Sequence, residues 1–296
     1  MRRFLVSRLS SLGDVVCSLP AASALKQGVP DAHVTWVVDR RFAEVVSCCK
    51  AVDEVVPWVN GQAAVLGEYE AALDLQGLLK SALVIARVKA SKKVGYHWQR
   101  EGSALFSQRV LPDPTSTHVV DQYVDVARAV GGEADRAEFA LAPDPEALTV
   151  MRPSVPTDFV VVNPGAAWAS KRWPVEHFAT LIDSLPVKAV LVGATWETSG
   201  DEVMALCKSK PLNLTGHTSI AELIALISLA RAHIGGDTGS THIAAALGVP
   251  AVGLYSATRP ERSCPYGQID RCHYDPEGLS RIRPEDVLRT VKELLS

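Results

Sequence analysis

Residues 221–255 read AELIALISLARAHIGGDTGSTHIAAALGVPAVGLY and alternate between helix-like and strand-like patterns. Residues 221–230 and 241–247 have helical periodicity, and each segment precedes an apolar run, at 233–235 and 249–255. The two apolar runs are continuous, which is typical of strands buried on both faces of a parallel sheet. This segment therefore predicts an α/β protein.

The same alternation extends through the rest of the chain. Strand-like runs precede helix-like segments in this order: 4–6 before 14–26, 34–38 before 42–48, 71–75 before 78–88, 159–162 before 175–185, and 187–192 before 198–207. Residues 141–157 contain four prolines, and we predict a linker there because proline disrupts regular elements. We expect two α/β domains, residues 1–150 and 151–296, with parallel sheets facing a central cleft. The segment 284–295 predicts a last helix.

Composition excludes several classes of protein. Of the 296 residues, 47% are hydrophobic and 21% charged, as in soluble globular proteins. The 30 basic and 33 acidic residues give a net charge of -3, which offers no global field for nucleic acid. Six cysteines without a C-x-x-C pair indicate a reduced, cytoplasmic chain. We expect no secretory signal, because only three apolar residues follow the basic start, and no apolar run in the sequence is long enough to span a bilayer.

Well-known ligand motifs are missing from the sequence. The turn after the first strand reads SSLGD, so neither the dinucleotide-binding G-x-G-x-x-G nor a P-loop is found. The eight histidines form no H-x-x-x-H pair or Cys/His cluster, and we expect no protein-built metal site and no cofactor.

The first candidate site is Ser10–Val16, at the turn from the first strand into the first helix. Ligands of open α/β sheets gather at the carboxyl ends of strands, and Gly13 permits a close backbone approach. Asp14 is a candidate general base, since a carboxylate can take a proton from an attacking hydroxyl. The alternative is that Ser11 or Asp14 only caps the helix.

The second and third candidate sites are loops of the second domain. Asn163–Pro174 is rich in small residues and contains Lys171, which could neutralise phosphate charge. Gly235–His242 combines glycines with a helix start, an arrangement that favours a diphosphate. Asp237 would then orient the loop or bind a sugar hydroxyl. The alternatives are a solvated lysine and ordinary helix capping.

Residues 237–240, Asp-Thr-Gly-Ser, also match the tetrad of aspartic proteases. Those enzymes pair two such carboxylates. A single copy at a helix start in an α/β chain disfavours that function.

A basic, amphipathic segment runs from Arg87 to Arg109. Its cations could bind a phosphorylated acceptor or an anionic membrane surface, and the alternative is a solvated face. The members taken as candidate acceptor contacts are Arg87, Lys92, Lys93 and Arg100.

The three motifs, in this order, resemble glycosyltransferase family nine, the ADP-heptose:lipopolysaccharide heptosyltransferases. Residues 10–14 (SSLGD), 171–178 (KRWPVEHF) and 236–242 (GDTGSTH) carry the resemblance. Residues 73–81 (LDLQGLLKS) point within it to the heptosyltransferase I group and add Lys80 as an acceptor contact.

The resemblance implies a GT-B fold of two Rossmann-like domains, with the acceptor on the first and the nucleotide sugar on the second. In the family the last helix typically returns to the first domain, which the segment 284–295 could also do. Transfer is then inverting and metal-independent, from ADP-heptose to a lipid A–Kdo type acceptor at the cytoplasmic face of the inner membrane.

The site residues follow from the same resemblance. Asp14 would be the base, and Lys171 would be the second catalytic residue, stabilising the leaving diphosphate. The donor contacts would be Ser11, Gly13, Ala166, Ala167, Lys171, Asp237, Thr238, Gly239 and His242. Ala166 and Ala167 stand where the family pattern tends to have threonines, so hydroxyl contacts to phosphate are absent there. The alternatives are a different acceptor, such as a protein hydroxyl, and a nucleotide-binding module without turnover. The sequence assigns no oligomeric state.

Overall fold

The computed structural model describes residues 1–65, 67–166 and 168–296. Within these ranges the chain forms two compact units, Met1–Ala142 and Pro143–Ser296. The six cysteines, all inside the described ranges, are free thiols. Among the described helices, none combines the length and apolar character needed to span a bilayer.

The first unit is a six-stranded, entirely parallel sheet with helices between the strands. The strands are β1 (Arg2–Ser7), β2 (Ala32–Asp39), β3 (Glu54–Trp58), β4 (Glu68–Asp74), β5 (Lys89–Tyr96) and β6 (Gln108–Val110). The helices are α1 (Leu12–Ser18), α2 (Pro20–Gly28), α3 (Ala43–Ser47), α4 (Leu79–Ala86) and α5 (Val119–Arg128). The strand order is β3-β2-β1-β4-β5-β6, which is the Rossmann order.

The apolar runs of the sequence form the centre of this sheet. Phe4, Leu5 and Val6 of β1 are fully buried, as expected for a strand with helices on both faces. The single helix predicted for residues 14–26 is instead two helices, because Pro20 starts α2 at a position where its missing N–H costs nothing.

The second unit repeats the architecture of the first. Its strands are β7 (Phe159–Asn163), β8 (Lys188–Leu191), β9 (Leu212–Asn213), β10 (Ala232–Gly236), β11 (Ala251–Tyr255) and β12 (Cys272–Tyr274). Its helices are α6 (Pro145–Met151), α7 (Val175–Asp183), α8 (Ser199–Leu206), α9 (Ile220–Leu229), α10 (Gly239–Ala246), α11 (Pro260–Ser263) and α12 (Pro284–Leu295). The order β12-β11-β10-β7-β8-β9, again all parallel, is the same Rossmann order.

The proline-rich segment 141–157 is not the irregular linker that the sequence predicted. It contains α6, which Asp144 caps by accepting the N–H groups of Glu146 and Ala147, each at 2.9 Å. Pro145 occupies the first helical turn, where a proline is compatible with a helix. The prolines therefore begin an element as well as separate the two units.

The last helix belongs to the core of the second unit. Val287 and Val291 of α12 are fully buried in a cluster with Phe178 of α7 and Ile234 of β10. The buried Trp173 donates its Nε1–H to the Ile282 carbonyl oxygen just before α12, at 3.0 Å.

The strand orders determine where each unit can bind a ligand. Open α/β sheets bind ligands at the carboxyl ends of the strands, where the direction of winding reverses. That point lies between β1 and β4 in the first unit and between β7 and β10 in the second. All three sequence motifs follow one of these four strands.

Candidate active site

The turn after β1 holds Asp14 in the first turn of α1. Asp14 Oδ2 accepts the Ser11 N–H at 3.2 Å and the Ser11 hydroxyl at 2.8 Å. This is the capping contact that the sequence allowed as the alternative to a catalytic role. Capping does not bury the group, because the Asp14 side chain is 47% exposed, so the carboxylate can both cap the helix and meet a ligand.

The turn after β4 supports the turn after β1. Gln76 accepts the Leu9 N–H at 2.9 Å through its side-chain oxygen. Lys80, on α4, donates to the Ser10 hydroxyl at 3.2 Å, and its ammonium lies 6.0 Å from the ring centroid of Trp58. The structure therefore brings the predicted acceptor contact Lys80 to the turn that contains Asp14.

The other predicted acceptor cations are not gathered into one basic face. Arg100 lies on the loop after β5, where its backbone N–H donates to the Gly77 carbonyl oxygen after β4 at 2.8 Å. Lys92 and Lys93 lie within β5, which pairs with β4 and β6. Lys93 donates to the last carbonyl of α4 at 3.2 Å, and Arg87 follows that helix. Lys92 lines a depression with Arg2 at the amino ends of the strands. Of these four, only Arg100 is on the loops at the carboxyl ends.

Sequence reasoning assigned no role to two charged residues in this region. Asp74 ends β4 fully buried, and its Oδ1 accepts the N–H groups of Gln76 and Gly77, each at 3.0 Å. Burial raises the pKa of this carboxyl. Arg8 ends the apolar run of β1 and is 6% exposed. The signal for both was a charged residue directly after a buried strand.

In the second unit, Lys171, Asp237 and His242 form one contiguous group. Lys171 Nζ lies 2.6 Å from Asp237 Oδ2, and His242 Nε2 lies 3.3 Å from Asp237 Oδ1. The side chains are 28%, 16% and 7% exposed, respectively. Burial alone would raise the pKa of Asp237, but His242 and Lys171 more than offset it and hold that pKa well below its usual range. The structure thus joins the second and third sequence motifs through an anionic Asp237.

A buried hydrogen-bond network fixes the turn between β10 and α10. The Ser240 hydroxyl lies 2.8 Å from Asn163 Nδ2, 3.0 Å from His233 Nε2 and 3.1 Å from the Thr238 hydroxyl. Burial, together with the nearby His242, lowers the pKa of His233 to about 3. His233 is therefore neutral at ordinary pH. Through Ser240, the network positions the Thr238 side chain. Asn163, Ser240 and His233 had no individual role in the sequence prediction.

The start of α10 has no side-chain cap from Thr238, the residue that precedes the helix. The first N–H groups of a helix have no partner within it, and Gly239 adds no side chain in front of them. On the neighbouring loop, the carbonyl of the buried Ala166 accepts the Arg172 Nε–H at 2.9 Å. Ala167 lies outside the described residues.

Glu197 is a further acidic group at this edge, on the loop after β8. Its Oε2 accepts the Ala194 N–H at 2.8 Å. A Cβ placed on Gly193 would lie 2.7 Å from the same oxygen, and one on Gly165 would collide with the carboxylate. Glycines at the ends of β7 and β8 thus admit this side chain against the backbone. Glu197 was missed because nothing in its sequence context distinguishes it from a surface acid.

The arrangement brings a cation, a helix start and acidic groups to one edge of the second sheet. Lys171 and Asp237 line a depression together with Tyr255 and Thr258. Among the described residues, no three His, Cys, Asp or Glu side chains are grouped as metal ligands. The Lys171 ammonium and the α10 N–H groups give this edge positive charge, and both are groups that bind phosphate.

Comparisons with known proteins agree with this architecture. Residues 61–282 match the model of the family described as glycosyltransferase family 9 (heptosyltransferase). Lipopolysaccharide heptosyltransferase 1 of Escherichia coli is 27% identical over 322 aligned residues, which cover 99% of this chain and 100% of that protein.

Solved structures give the same result for the fold. A family 9 glycosyltransferase from Veillonella parvula superposes with a TM-score of 0.88 at 22% identity, covering 99% of this chain and 97% of that one. An E. coli heptosyltransferase solved with ADP superposes with a TM-score of 0.81 at 23% identity, covering 99% and 100%. The predicted fold class, GT-B with two Rossmann-like domains, is confirmed. The chain is a glycosyltransferase, and it belongs to family 9, the heptosyltransferases.

Proposed function

We propose that this enzyme transfers heptose from ADP-heptose to the Kdo/heptose inner core of lipopolysaccharide. The observation that carries the proposal is the contact of Lys171 with Asp237 at the start of α10, at the winding reversal of the second sheet. Similarity to lipopolysaccharide heptosyltransferase 1 of E. coli supports the sugar and the acceptor. A related structure bound to an ADP-heptose analogue supports the donor.

We propose that the second unit binds the donor. The diphosphate lies against the Lys171 ammonium and the first N–H groups of α10, with the Asn163–Lys171 loop beside it. Asp237, Thr238 and His242 then contact the sugar hydroxyls. Glu197 is suited to the ribose, since an acidic side chain at the end of the second strand has that role in Rossmann domains.

The first unit binds the acceptor and provides the base. Asp14 takes the proton of the acceptor hydroxyl while that oxygen bonds to the anomeric carbon of heptose. The bond from this carbon to the diphosphate oxygen breaks, and its electron pair leaves with ADP. A single displacement of this kind inverts the anomeric configuration. Lys171 and the α10 N–H groups stabilise the leaving diphosphate, and we propose that they do so without a divalent metal.

We propose Lys80 and Arg100 as contacts for the anionic acceptor, because both belong to the loops and helix beside the Asp14 turn. An acceptor attached to lipid A would bring the enzyme to the cytoplasmic surface of the inner membrane. The other three cations are less suited to this role. Arg87 donates to the Gly61 carbonyl before β4, and Lys93 donates to the last carbonyl of α4. Lys92 lines the depression with Arg2 at the amino ends of the strands.

The test is ADP release from ADP-heptose by the purified protein, with and without a Kdo-terminated lipid A acceptor, in buffer containing EDTA. We expect ADP only when acceptor is present, and a product whose anomeric configuration is opposite to that of the donor. Release that requires added metal would contradict the metal-independent mechanism. Donor binding without acceptor-dependent release would indicate a different acceptor or a binding module.

Asp14→Asn tests the base. We expect turnover to fall about 100- to 10,000-fold, the range for loss of a general base, while ADP binding changes little because the proposed diphosphate contacts, Lys171 and the α10 N–H groups, are in the second unit. Asp113→Asn, on an exposed turn of the same unit, is the matched control. Full turnover by Asp14→Asn would remove Asp14 from the mechanism.

A further inference from the structure

Arg8 places a buried positive charge directly behind Asp14. It follows β1 and is 6% exposed. One end of its guanidinium, Nη1, donates to the Leu75 carbonyl oxygen after β4 at 2.6 Å. The other end, Nη2, lies 2.9 Å from Asp14 Oδ1. The side chain thus connects the turn after β4 to the proposed base.

A buried guanidinium requires a counter-charge, because removing it from water is costly. The groups that face Arg8 from the surrounding elements are Asp14 and Cys17 of α1, Asp74 of β4 and Tyr123 of α5. The Tyr123 ring centroid is 5.2 Å from the guanidinium carbon. Asp74 Oδ1 accepts two backbone N–H groups of its own turn.

Asp14 therefore has a property that the other acidic groups around Arg8 lack. It touches the buried cation and is still about half exposed to solvent. Its two oxygens have separate partners, Arg8 at Oδ1 and Ser11 at Oδ2. Two contacts from different directions fix the plane of the carboxylate, which a single capping bond would not do.

We propose that Arg8 is the positioning residue for the catalytic base: it orients the Asp14 carboxylate and holds it in the ionised form that can accept the acceptor's proton. This inference rests on the proposed role of Asp14. When the proton arrives, Asp14 becomes neutral and the buried guanidinium loses its hydrogen-bonded counter-charge. The Arg8–Asp14 contact is thus strongest before transfer and weakens as transfer proceeds, so it maintains the resting base rather than stabilising its protonated product.

Two substitutions separate orientation from charge. Arg8→Lys keeps the charge but loses the planar fork that reaches Leu75 and Asp14 together. We expect kcat to fall at least 10-fold, with the KM for donor changed less than about threefold and the acidic limb of the kcat/KM profile unmoved. Arg8→Met also removes the charge, so we expect the acidic limb to move upward by about one pH unit or more, since an adjacent cation favours the ionised carboxylate.

Arg128→Lys is the matched control. Arg128 also joins a carboxylate and a backbone carbonyl in the first unit, Asp125 at 2.8 Å and Ala134 at 2.6 Å. We expect its kinetics to match the unsubstituted enzyme. Thermal unfolding of each variant shows whether the fold is intact, and Arg8→Lys carries the test if Arg8→Met does not fold.

The double variant with Asp14→Asn separates this inference from the proposed function. If Arg8 acts through Asp14, then Arg8→Lys causes no further loss of kcat in the Asp14→Asn background. Full kcat in Arg8→Lys, an unmoved acidic limb in a folded Arg8→Met, or an equal loss in both backgrounds would overturn the positioning role. Full activity of Asp14→Asn alone would instead overturn the proposed base and leave the single-variant Arg8 profiles as a separate result.

Discussion

Replacing His233 with glutamine should reduce the loss of stability that acid causes in the second unit. His233 is fully buried on β10 and bonds the Ser240 hydroxyl through Nε2 at 3.0 Å. Glutamine can place a polar atom near the same position but cannot take up a proton. The substitution therefore removes the titration while it retains a partner for Ser240.

The magnitude follows from the lowered pKa of His233, which is about 3 in the folded chain against 6.5 for an ordinary histidine. Below 6.5 the unfolded chain binds a proton that the folded chain does not, so unfolding is favoured as the pH falls. The contribution of neutral His233 to the free energy of unfolding is complete above pH 6.5 and is lost progressively as the pH falls to about 3. At about pH 5, roughly 1.5 units below the unfolded value, the loss is about 2 kcal/mol, at about 1.4 kcal/mol per unit.

Urea unfolding at about pH 7.5 and about pH 5 measures this difference. The change in unfolding free energy between the two conditions should be about 2 kcal/mol smaller in His233→Gln than in the unsubstituted protein. His217→Gln, at an exposed position of the same unit, is the control and should show the full change. An equal acid loss in His233→Gln and the unsubstituted protein would refute the account of His233 as a buried neutral group.

Two further predictions concern the donor site. Lys171→Met should lower kcat/KM at least 100-fold, because Asp237 then faces the diphosphate without its cation. Steady-state assays measure this, with Lys188→Met, at an exposed lysine of the same unit, as the control. Normal rates in both variants would contradict the prediction. Glu197→Gln should weaken ADP binding about 10-fold, the effect of losing one charge-assisted hydrogen bond, and should leave 2′,3′-dideoxy-ADP binding unchanged; calorimetric titration giving equal losses for both nucleotides would exclude ribose recognition.

The central strands were predictable because burial on both faces leaves an apolar run with few alternatives. Residues 4–6, 159–162 and 249–255 all lie in or overlap central strands β1, β7 and β11. Strand β5, next to the edge of the first sheet, was missed for the opposite reason. Its first five residues include Lys89, Lys92 and Lys93, so it lacks an apolar run and is a strand because it pairs with β4 and β6.

The positions of the candidate residues could be predicted where a residue belongs to a strand-to-helix turn, while their roles stay predictions. Asp14, Lys171 and Asp237 each stand at a strand-to-helix turn with small neighbours, and the strand orders place those turns at the winding reversals. Arg8 instead depends on a contact between segments far apart in sequence. Arg8 donates to the carbonyl of Leu75, 67 residues away, and no local sequence pattern predicts that contact.

The Lys171–Asp237 contact has a consequence for selectivity among anions. A lone lysine beside a helix start would bind inorganic phosphate or sulfate as readily as a nucleotide. Here Lys171 Nζ already lies 2.6 Å from Asp237 Oδ2. An anion that binds Lys171 must therefore displace a carboxylate that is part of the same chain. A single phosphate offers little in exchange, whereas a sugar diphosphate brings two phosphates for the cation and hydroxyls for the displaced Asp237. In the donor site that we propose, we therefore expect the resting ion pair to disfavour small anions relative to the sugar diphosphate.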